Sequence, residues 1–67
     1  MEKITKIRVL REIYKECDGL VADRDNYKVL GMLRLEFEEL LFSDAEFVKP
    51  AYYDKIIRLI DVVKALS

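Results

Sequence analysis

"LFSDAEFVKPAYYDK", residues 41–55, holds two helix-start signals in one short stretch. Ser43-Asp44-Ala45-Glu46 has the spacing of a capping box, in which the serine oxygen accepts from a first-turn N–H and the glutamate reaches back. Lys49-Pro50 is the second signal. Proline at a first helical position gives up no hydrogen bond and has its φ preset, and it holds the preceding lysine extended. One helix therefore ends at Phe42, Ser43 caps a short helical turn near 44–47, and another helix opens at Pro50. Phe47 and Val48 are expected to tuck under the junction.

Working outward, the segment after Pro50 carries Tyr52, Ile56, Leu59, Ile60, Val63 and Leu66 at spacings of three and four, one stripe on a helix near 50–66. Asp54 and Arg58 sit four apart on its outer face as a supporting pair. The segment before Ser43 carries Tyr27, Leu30, Leu33, Phe37, Leu40 and Leu41, a helix near 24–42 opened by Asp23 or Asp25 as cap. Upstream, Ile7, Leu10, Ile13, Tyr14 and Cys17 stripe a helix near 3–18, with Arg8, Arg11, Glu12, Lys15 and Glu16 on the other side. Asp18-Gly19 stops it, because glycine readily takes the left-handed backbone that closes a helix, and Leu20 is placed to fold back as an apolar contact. Three helices joined by short connections predict an all-α three-helix bundle, one domain over 1–67.

The chain has 67 residues, 52% of them hydrophobic. A domain this short buries only about 60% of its unfolded surface, so it needs good packing, a partner or a staple. The single cysteine allows no intrachain disulfide and fits a reducing, cytoplasmic setting. The charged start, MEKITKIRVLREIYKE, has no signal-peptide core, and no run approaches the ~20 apolar residues of a membrane span. The formal net charge of −1 is uneven: residues 1–17 carry +2, residues 18–49 carry −4 and residues 50–67 carry +1. The acidic middle is expected to complement its two neighbours inside the fold.

Chemical motifs are missing. The chain has no histidine, which removes the usual general base and the commonest metal ligand. Ser43 reads as a cap, and Cys17, on an apolar stripe, as a small hydrophobe. Asp23 and Asp25 begin like a calcium loop, but Tyr27, Lys28 and Arg34 stand where a ligand, a glycine and a glutamate are required. Glu36, Glu38 and Glu39 point in different directions on a helix. The expectation is a protein that is not an enzyme and takes no cofactor or metal.

The second helix also carries apolar residues off its stripe. Gly31, Met32, Leu35 and Phe42 lie roughly 100° or more from the stripe's centre. They read either as further core, if this helix is central, or as a binding seam in which Gly31 admits a close backbone and Met32 an adaptable contact. Tyr53 and Ile57 widen the stripe of the third helix in the same way, and tyrosines suit contact surfaces because they bury area while keeping a polar tip. The expected function is a small non-catalytic protein-interaction module, a regulator, inhibitor or adaptor, a class that includes phage-type antagonists of host proteins. Its contacts would be Gly31, Met32, Leu35, Phe42, Tyr53 and Ile57, and its partner another protein or a second copy. The alternatives are a nucleic-acid-binding module using Arg8, Arg11 and Lys15, which Glu12, Glu16 and the net acidity disfavour, or a structural homo-oligomer subunit.

Overall fold

A computed structural model describes residues 3–67. Thr5 both ends a short strand and caps the first helix: its side-chain oxygen accepts from the Arg8 N–H at 3.1 Å. Helix α1 then runs Lys6–Cys17, α2 Tyr27–Phe42 and α3 Pro50–Ala65. Each helix packs on the other two. The start of α1 lies beside the start of α3, and Asn26, ahead of α2, reaches Ser67 after α3. The bundle is thus up-down-up, inside an outline of 38 × 23 × 17 Å.

The three expected helices are present, with two boundary corrections. Helix α1 begins at residue 6 rather than 3, because Ile4–Thr5 (β1) is extended and pairs antiparallel with Phe47–Val48 (β2), Ile4 opposite Val48 and Thr5 opposite Phe47. Helix α2 begins at residue 27 rather than 24, because Asp23 organises a turn first. One Asp23 carboxylate oxygen accepts from the Asp25 and Asn26 N–H groups at 2.8 and 2.9 Å, and its carbonyl accepts from the Tyr27 N–H.

The helical turn expected near 44–47 does not form. Ser43 Oγ accepts from the Ala45 N–H at 3.1 Å instead of closing a capping box. The chain bends at Glu46 and is extended over Phe47–Val48 and Lys49, whose ψ is 146°, as Pro50 requires. The Lys6 N–H donates to the Glu46 carbonyl at 2.9 Å and the Lys6 ammonium to the Ser43 carbonyl at 2.7 Å, so this connection is stitched to the start of α1. Aromatic and β-branched residues favour that extended pairing. Val48 packs on the core, whereas Phe47 stays exposed with the Lys3 ammonium 5.0 Å from its ring. After α1, Gly19 has φ +85° and the Leu20 N–H donates to the Cys17 carbonyl. That is a turn with glycine where a left-handed backbone is required, and Leu20 folds onto the core.

Val9 and Ile13 from α1, Leu30, Leu33 and Leu40 from α2, and Ile56, Ile60 and Val63 from α3 form the buried core. Val9 was outside the expected α1 stripe, while Ile7 and Tyr14, inside it, stand exposed. Tyr27 and Leu41 of the α2 stripe and Leu66 of the α3 stripe are likewise exposed. The Asp54–Arg58 pair does not form. Among the described residues the ion pairs run between helices, Lys55–Glu36 at 2.8 Å and Lys64–Glu16 at 2.7 Å.

Candidate functional site: an apolar groove between α1 and α2

Apolar residues on α1 span a broad arc. From Val9 through Leu10 and Tyr14 to Ile7 is about 160° on an ideal helix, wider than the ~100° a packed stripe needs. The α2–α3 pair takes one edge, Val9 and Ile13. The other edge is left on the wall of an open groove facing α2. One stretch of the groove, about 490 Å³, is lined by Ile7, Leu10 and Tyr14 from α1 and by Phe37 and Leu41 from α2. Among the described residues, the charged ones along it are Arg11 and Lys15. A second stretch, about 350 Å³, continues past Tyr14 and Phe37 to Cys17, Leu20 and Arg34.

Ile7 is 61% exposed, Tyr14 66% and Leu41 48%. Large side chains that could have packed inward are thus held at the surface by the helices that carry them. Burial, aided by the neighbouring Glu16 carboxylate, pushes the Cys17 thiol up, so it stays neutral at the groove's end.

The residues expected to form one contact surface fall in two places. Gly31, Met32, Leu35 and Phe42 are all exposed on the outer side of α2, with Leu35 at 56% and Phe42 at 82%. They are not core of this bundle, and a Cβ added at Gly31 would meet nothing within 4 Å. Tyr53 and Ile57 lie elsewhere, half-buried against the core on the α1 side of α3. Tyr53 donates to Glu12 Oε1 at 3.1 Å, a hydrogen bond that raises its pKa, and the Arg8 guanidinium stacks 5.4 Å from its ring. They seal the α1–α3 junction because their positions on α3 turn them from the outer face of α2 toward α1.

Arg8, Arg11 and Lys15 are exposed. Arg8 is occupied by Tyr53, which leaves Arg11 and Lys15 on the groove's rim. Periodicity alone puts Ile7, Tyr14 and Leu41 on core-facing stripes with Leu10, which does pack on the core, whereas the other three line the groove exposed. Its signal was the width of the α1 arc once Val9 is counted. Among the described residues no group of three or more His, Cys, Asp or Glu could hold a metal ion, and no helix is long and apolar enough to cross a membrane. Set against protein-family models, curated proteins and solved structures, the chain matches none.

Proposed function

We propose that this chain is a small non-catalytic protein-interaction module, a regulator, inhibitor or adaptor of the reducing cytoplasm, whose working surface is the α1–α2 groove. It seats an amphipathic helix of another protein chain by its apolar anchors, in the manner of helix-in-groove recognition. The observation that carries this reading is the exposure of Ile7 and Tyr14 along an apolar trough. Exposed apolar surface gathered into a concave patch with a polar rim marks an interaction site, whereas scattered apolar residues do not. Arg11 and Lys15 at the rim suit an occupant with acidic residues beside its anchors.

The test is a benzophenone amino acid at Leu41, on the groove wall, in the chain expressed in cells. The expected result is a photo-adduct with one protein species that disappears when Ile7→Glu and Tyr14→Glu are combined. Cooperative thermal unfolding should survive, since both side chains lie outside the core. Absence of an adduct, or an adduct indifferent to the double change, overturns the reading.

A further inference from the structure

We infer that the helix filling this groove is α2 of a second copy, in an antiparallel, two-fold symmetric dimer whose axis passes close to residue 36. The inference rests on the reading of the groove as a protein-binding surface.

Three observations carry it. The first is charge. Arg34 and Glu38 sit one turn apart on the exposed edge of α2 that borders the groove, and neither belongs to an ion pair among the described residues. In a two-fold contact each residue meets the partner of its own partner. An antiparallel α2 pair therefore sets Arg34 against Glu38 of the second copy, and Glu38 against its Arg34. Opposite charges four apart on one helix are self-complementary in that arrangement.

The second is shape. The same register brings Gly31 opposite Leu41 of the second copy, where the open space over Gly31 admits a large side chain.

The third is area. A compact folded monomer of 7.9 kDa exposes about 4,400 Å². This chain exposes 5182 Å², an excess of roughly 800 Å², which is about one partner's share of a standard interface. The outline is elongated, 38 × 23 × 17 Å, and Ile7, Tyr14 and Leu41 stand exposed along the groove.

Sedimentation of wild type and charge-swapped variants tests the dimer. Wild type is expected to dimerise below about 100 µM, since interfaces of this size give micromolar or tighter affinity. Arg34→Glu and Glu38→Arg alone should each weaken the homodimer at least about tenfold, because each sets like charges across the axis twice. Mixed together, the two single variants should form a heterodimer, since both cross-axis pairs become attractive again. Gly31→Ala, with no room problem in the monomer, should also weaken the dimer by crowding Leu41 of the second copy. A wild type that stays monomeric at about 100 µM overturns the inference, as does a dimer indifferent to Arg34→Glu, Glu38→Arg and Gly31→Ala. In the monomeric case the adduct at position 41 would hold a foreign chain, so failure here is distinct from failure of the groove reading.

Discussion

Asn26 is 1% exposed and every polar group of its side chain is used. Its Oδ1 accepts from the Asp23 N–H at 2.8 Å, and its Nδ2 donates to the Val21 carbonyl and to Ser67 Oγ at 3.2 and 3.1 Å. It therefore ties the α1–α2 loop to the end of α3. Asn26→Leu should lower unfolding free energy by about 1–3 kcal/mol in chemical denaturation, because it removes three hydrogen bonds that tie the loop to the end of α3, each with a net worth of about 0.5–1.5 kcal/mol. Glu36 is a second residue with a measurable signature. The Lys55 ammonium, by hydrogen bond, holds its carboxyl below the usual value against the opposing effect of burial, with help from the Tyr52 hydroxyl. A depressed carboxyl contributes stability that is present above its unfolded value of 4.5 and is lost as pH falls through the lower folded value. Tyr52 is pushed up to about 12, first by burial and then by its bond to Glu36. Its contribution is whole below pH 10.0 and is lost as pH climbs toward about 12. Denaturation midpoints should fall at both ends of the pH range, and Glu36→Gln should flatten the acid limb. An acid limb unchanged in that variant would refute the Glu36 assignment.

At the scale of the element, α1 depends on a residue that also serves a strand. Thr5 caps the Arg8 N–H and pairs opposite Phe47. Thr5→Ala should cost about 1 kcal/mol through the lost cap, while thermal unfolding stays a single transition because the ladder's backbone bonds remain. The Ser43 signal failed for a reason internal to its own segment. Phe47, Val48 and the residue before Pro50 all favour extended backbone, and β1 supplies the partner strand that a local reading cannot see. Pro50, in contrast, opens α3 where its own covalent geometry demands.

For the whole molecule, the question is which apolar surfaces three helices can hide. Each packs against two others, and that geometry takes a limited arc from each. Leu35 lies outside the arc of α2, so Leu35→Glu should leave monomer stability within about 0.5 kcal/mol, as for other surface changes. Association at the groove should be equally indifferent, because Leu35 lies on the outer side of α2 and does not line it. Equilibrium denaturation at low concentration, beside sedimentation at high concentration, checks both expectations. A variant that unfolds as a monomer would put Leu35 in the core.

Helix number, order and approximate ends were legible in the residues, since periodic leucines and isoleucines, Gly19 and Pro50 act through local backbone geometry that travels with the chain. Which side of α1 faces inward was not. Ile7, Val9, Leu10, Ile13 and Tyr14 are all apolar, and periodicity finds the middle of such an arc rather than the part a neighbour covers. Only the placement of α2 and α3 buried Val9 and left Tyr14 on a groove wall. The β1–β2 ladder and the Asn26–Ser67 bond join residues more than 40 positions apart. Both belong to the tertiary structure, because a hydrogen bond between distant segments exists once packing has brought them together, and neither segment alone says which partner it will meet.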